Sequence, residues 1–194
     1  MAASATTEGP TELSQWLTFE DGVVLAGRTH ESFLLPNLVL VVTGFGRSPR
    51  GEGPAGFVLW QPDPDGDPEI ADFVGERRRM GRRLDALFAG SEIAGSPIAL
   101  GELAVARKPR RGRVRVDVFA CGHEITARLD DLAPAELVSR PPSAEAPFWQ
   151  QGVEARAARV RLRIDGRDTT FLPVARSPLG GPAACWSPAG VWAR

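Results

Sequence analysis

In the run Arg113-Val114-Arg115-Val116-Asp117-Val118 a charged residue alternates with valine at every step. Strand side chains point to opposite faces with period two, so this alternation specifies a strand with one wet and one dry face. Cys121-Gly122 then marks a turn, and residues 124–129 read as the returning strand. A similar unit follows at Arg161-Leu162-Arg163-Ile164, which turns at Asp165-Gly166 into residues 167–174. Both hairpins place Arg or Asp on one face and branched apolar residues on the other. The likeness leaves open an internal duplication, although any two arginine-rich amphipathic hairpins would look this way.

Residues 98–106 and 153–164 read as further strands, as do the apolar run 38–43, closed by Gly44-Phe45-Gly46, and residues 57–61. Asp21-Gly22, flanked by apolar residues, is expected to form a two-residue hairpin turn. The glycine and proline content of residues 47–56 predicts a loop. Leu13, Trp16 and Leu17 have the spacing of a short helical turn, and residues 134–138 could form another. Asp67-Pro68 resembles a helix start, and Ile70, Phe73, Val74, Met80, Leu84, Leu87 and Phe88 fall on one stripe at ~100° per residue. The expected fold is therefore α+β: mainly antiparallel β hairpins, in a sandwich or open barrel, with one main amphipathic helix near residues 68–88. Its expected divisions are a flexible tail (1–10), a β-rich unit with the helix (11–92), a hairpin unit (97–175) and a Pro/Gly/Trp-rich tail (176–194) with little regular structure.

The net charge of −1 gives no overall steering toward nucleic acid or anionic membrane. Of the 23 basic residues only Lys108 is a lysine, a bias that GC-rich, bacterial-like coding produces by itself. Two cysteines allow at most one disulfide, and both are read as reduced thiols. Residues 1–10 lack a signal-peptide pattern, and no apolar run approaches the ~20 residues of a membrane helix, so a cytoplasmic chain that does not enter the membrane is expected.

Familiar catalytic and cofactor patterns fail at definite residues. Asp63-Pro64-Asp65-Gly66-Asp67-Pro68 has proline where a calcium loop needs glycine, and reads as a turn and helix cap. The spacing of Gly46 to Gly51 suits a phosphate loop, but Glu52 and Gly53 replace its lysine and hydroxyl residue. His30, Cys121, His123 and Cys185 would need to converge from distant segments to hold zinc. Cys121 and His123 remain a candidate thiol and base for an unrecognised enzyme site. No catalytic residue, metal or cofactor is assigned.

Three surfaces remain. Trp186 and Trp192 lie six apart in the C-terminal segment, where they either fold back or anchor a partner. Arg161 and Arg163 line a hairpin face suited to protein contact. Two arginine clusters, represented by Arg78 and Arg82 and by Arg110 and Arg111, could neutralise phosphates. The leading expectation is a non-enzymatic interaction or assembly protein that binds another protein or itself through Trp186, Trp192, Arg161 and Arg163, with the C-terminal segment separable from the fold. A nucleic-acid-associated regulatory module is the alternative, and an enzyme using Cys121 and His123 the third.

Overall fold

The computed structural model describes residues 15–108 and 112–194. Strands β1 (Trp16–Arg28), β2 (Leu38–Ser48), β3 (Gly51–Trp60) and β4 (Ile70–Gly75) lead to helix α1 (Arg78–Leu87). There follow β5 (Ile98–Lys108), β6 (Arg113–Ala120), β7 (His123–Leu132), β8 (Glu136–Arg140), β9 (Trp149–Ile164), β10 (Arg167–Thr169), β11 (Leu172–Pro173) and β12 (Ala184–Ala193). The fold is β-rich α+β, with one helix among the described residues. Its strands form one mixed sheet in the order β10-β9-β12-β1-β2-β3-β4-β5-β6-β7. Because β7 also pairs with β9, the strand path closes into a ring, where an open barrel or sandwich was among the expectations. The 16-residue β9 makes this possible: its first half pairs with β12 and β8, its second half with β7. The parallel pair β4–β5 requires a crossover, which α1 supplies.

Two cores divide the apolar side chains. The first lies inside the ring and draws Val23, Leu40, Val58 and Ile70 together with Val116, Ile125 and Leu162. The second lies on the other face of β1 to β4, beneath Met80, Leu84 and Leu87 of α1 and beside Phe148 and Leu179. A file of aromatic rings runs through it: Phe57, Phe73, Phe88, Phe148, Trp192 and Phe19, with successive centroids 4.6 to 5.8 Å apart.

Several local expectations are corrected. The helix begins at Arg78, and residues 70–75 are strand β4. Ile70 and Val74 face the first core and Phe73 the second, a two-sided burial that one helical stripe could not provide. Asp21 does take a positive φ, 51°, yet β1 continues through Asp21-Gly22 without a change of pairing register to β2 or β12. The residue bends the strand instead of reversing it, and the inward-facing positions switch parity there: Leu17 and Phe19 lie in the second core, Val23 and Leu25 in the first.

Within the expected loop 47–56, β2 continues to Ser48 and β3 starts at Gly51. Gly51 and Gly53 adopt φ of 153° and 135°, and Pro54 falls at a register shift between β2 and β3, so these residues shape the strand without breaking it. Trp16 and Leu17 belong to β1 rather than a helical turn, while Leu13 lies outside the described residues. Residues 136–138 belong to strand β8, which bonds along β9. The C-terminal segment supplies β12, ten residues long and flanked by β1 and β9, with Pro188 placed at another register shift. No helix among the described residues is long and apolar enough to cross a membrane.

Candidate binding face

The two hairpin turns set the geometry of the candidate face. Cys121 and Gly122 have φ of 53° and 85°, and Asp165 and Gly166 have φ of 50° and 74°, the paired positive values of a two-residue turn that suits twisted strands. The first turn places Ala120 opposite His123 and therefore Arg115 opposite Arg128. Strand β9 sets Arg161 opposite Arg128 in turn. Three arginines consequently stand side by side across β6, β7 and β9. Like charges directly opposite one another are destabilising in a sheet, so this row needs a counter-charge.

Asp130 supplies part of it. Its side chain is only 5% exposed and accepts a hydrogen bond from Arg113 Nε at 2.6 Å and from Arg128 Nε at 3.0 Å, while Arg161 Nε stands 3.5 Å away. Burial opposes ionisation of Asp130, but the hydrogen bonds from Arg113 and Arg128 outweigh it and hold the carboxyl below the usual carboxylate range. Arg115 instead pairs with Asp117 at 2.7 Å, and Arg163 with Asp168 at 3.1 Å. Around Asp130, three guanidiniums share one carboxylate, leaving positive charge unmatched within that group.

This row borders an open cleft of about 630 Å³ whose lining includes Thr126, Arg128, Arg161, Arg163 and Phe171. A neighbouring depression of about 870 Å³ contains Leu100 and Phe119, which are 55% and 52% exposed. Phe119 thus lies outside the core, whereas Phe73 and Phe88 are fully buried. The arrangement can grip an anionic group with arginines and offer an adjacent apolar contact.

Of the residues singled out by sequence, Arg161 and Arg163 lie on this face. Arg128 and Asp130 were missed. Arg78 and Arg82 are on α1, which packs over β3, β4 and β5; Arg78 donates to the Ile98 carbonyl at 3.1 Å. Arg110 and Arg111 lie outside the described residues. Trp192 is 4% exposed, with its ring 4.6 Å from Phe19 and 5.7 Å from Phe148 between centroids. Trp186 is half-buried against the first core and donates its Nε1 hydrogen to Asp21 at 3.2 Å. Both tryptophans are therefore engaged by their own fold.

Cys121 and His123 take separate partners. The thiol donates to Asp72 at 2.8 Å, and partial desolvation together with that hydrogen bond pushes it up to about 11, opposite to the direction that activates a nucleophile. The His123 ring lies between Glu69, 3.1 Å from Nε2, and Asp165, 2.9 Å from Nδ1. Asp165 is held below the usual carboxylate range by His123 and by the backbone N–H of Glu124. His30 instead bonds Ser32 in the loop after β1, and Cys185 is buried in β12. Among the described residues, no group of three or more His, Cys, Asp or Glu side chains has the arrangement of a metal site. In comparisons with protein families, curated proteins and solved structures, the chain matches no family model, no curated sequence and no solved structure.

Proposed function

We propose that this chain is a non-enzymatic protein-interaction module that binds an acidic region of a partner through the outer face of β6, β7, β9 and β10. The observation that carries the reading is the Arg115-Arg128-Arg161 row, in which like charges stand opposite one another while Arg128 and Arg161 share the buried Asp130 with Arg113 and only Arg115 has a carboxylate of its own, Asp117. A partner carboxylate lying along the row would relieve that repulsion and form charge-assisted hydrogen bonds. Leu100 and Phe119 add an apolar anchor of the kind found at interface centres. Asp117, Glu124 and Asp168 on the same face would meet a phosphate backbone, which carries a charge at every nucleotide, whereas a short acidic segment can be confined to the arginine row. Two free thiols accord with a reducing, cytoplasmic setting.

The test compares affinity purification with the wild-type chain and with the triple variant Arg115→Glu, Arg128→Glu, Arg161→Glu. A stoichiometric protein retained by the wild type and lost by the folded variant is the expected result. Equal recovery by both would overturn the reading, and nucleic acid released as salt rises toward ~0.5 M would replace it with the alternative.

A further inference from the structure

The ring of strands has a gap along one side of β9. β12 pairs with β9 as far as Arg156 and pairing with β10 begins only at Leu162, opposite Thr169, so among the described residues no strand covers residues 157–161 on that side. The Asp165-Gly166 turn determines which backbone groups face the gap. Ile164 and Arg167 close this hairpin, and the Asp165 N–H donates to the Glu124 carbonyl on β7 at 2.8 Å. Alternation then directs the backbone groups of Arg163, Arg161 and Arg159 toward β7 and those of Leu162 and Val160 to the opposite side. It breaks between Arg159 and Arg156, whose carbonyl accepts from the Ala133 N–H at 2.8 Å, so that Ala157, packed inward like Val160, is the next residue with its backbone on the gap side.

The facing wall is the stretch that leaves β10 and crosses to β11. Between the walls lies a cleft of about 630 Å³ that includes Ala157, Val160, Phe171, Val174 and Ala184. Ala157, Val160 and Phe171 pack against the first core, so the floor is apolar. Arg159 and Arg161 form the outer lip, with side chains 63% and 64% exposed; Arg159 pairs with Asp131 at 2.7 Å and Arg161 stands 3.5 Å from Asp130, which it shares with two other arginines. Exposed strand edges are usually guarded by lysine, proline or a covering segment, yet this one carries Ala157-Ala158 and leaves room for approach.

We infer that this gap receives an extended segment of another protein as an added strand, with acidic residues alternating with apolar ones. Strand geometry requires that alternation. Outward side chains of the added strand would lie beside Arg159 and Arg161, and inward ones would meet Val160 and Phe171. Main-chain hydrogen bonds supply binding, while the alternating side chains supply selectivity. The inference deepens and rests on the acidic-partner reading, since Arg161 belongs to both the row and the lip.

The experiment uses the full chain and a fluorescein-labelled peptide, Glu-Val-Glu-Val-Glu-Val, together with the same peptide methylated on its backbone nitrogens. Anisotropy reads binding, and hydrogen exchange reads residues 157–161. The expected result is saturable binding, at least about tenfold slower exchange at Ala157 and Val160, and at least about tenfold weaker binding of the methylated peptide. Ala157→Pro should weaken binding similarly, because it removes an N–H on the gap side, with its folded state checked by exchange elsewhere in the sheet. Equal binding of both peptides, or no protection at residues 157–161, overturns strand addition. If binding then still falls in Arg115→Glu with Arg128→Glu, the acidic-partner reading survives alone; absence of peptide binding to the wild type overturns the inference. Concentration-dependent dimerisation that protects the same amides would place a second copy in the gap and overturn the assignment to another protein.

Discussion

Asp130 is the carboxylate on which neighbouring guanidiniums converge, and its replacement isolates what that arrangement contributes. Asp130→Asn preserves size but removes the charge, so a loss of about 1–3 kcal/mol is expected in urea unfolding, tempered by the partial solvation of the arginines. Its folded pKa lies below the unfolded value of ~3.9, so the stabilisation is complete above that value and fades as pH falls through the folded one. The stability difference between wild type and Asp130→Asn should therefore narrow below about pH 4. Cys121 supplies an independent test. With its thiol near 11, alkylation by iodoacetamide at pH 8 should be at least about tenfold slower than for an unperturbed cysteine, and Asp72→Asn should accelerate it. Part of the arginine row was legible before folding: a two-residue turn at Cys121-Gly122 already implies that Arg115 faces Arg128. Arg161 was not placeable beside them, because β7 and β9 are separated by β8 and a connector and no local turn sets their register.

Elements with strict alternation were the most legible. Strand β6 contains the whole alternating run 113–118 and ends at Ala120, directly before the expected turn, and both turns adopt the backbone expected of their Gly-containing pairs. Failures occurred where a residue's local preference allows two outcomes. A positive φ at Asp21 accommodates either a reversal or a bend, and the continuous ladders from β1 to β2 and β12 select the bend. Gly44 sits at the same corner, where an added Cβ would meet Val105 at 3.1 Å and Asp21 at 3.2 Å. The apolar stripe assigned to one helix is divided between β4 and α1 because this segment contributes to two cores. Helix α1 nevertheless closes the second core. Leu84, fully buried there, should cost about 2–5 kcal/mol when changed to alanine, measured by chemical denaturation.

At the scale of the molecule, β9 and β12 determine whether the ring exists. β12 joins β9 to β1, and its Trp192 links Phe148 to Phe19 in the aromatic file. Removal of residues 176–194 is therefore expected to abolish the cooperative thermal transition, an outcome opposite to that of a separable tail. The sequence by itself determined the β-rich class, the two hairpin turns with their arginine-bearing strands, and the presence of one helix, since side-chain period and turn chemistry act within a few residues; the return strand expected over residues 167–174 instead ends at Thr169, and Leu172–Pro173 pairs with β1. The tertiary structure alone decided that the C-terminal segment becomes a flanked strand, that β9 serves both β12 and β7, and that Arg161 completes the row with Arg115 and Arg128. Those outcomes depend on pairings between segments distant in the chain, where the stabilisation comes from burying two faces together and leaves no local periodic signal.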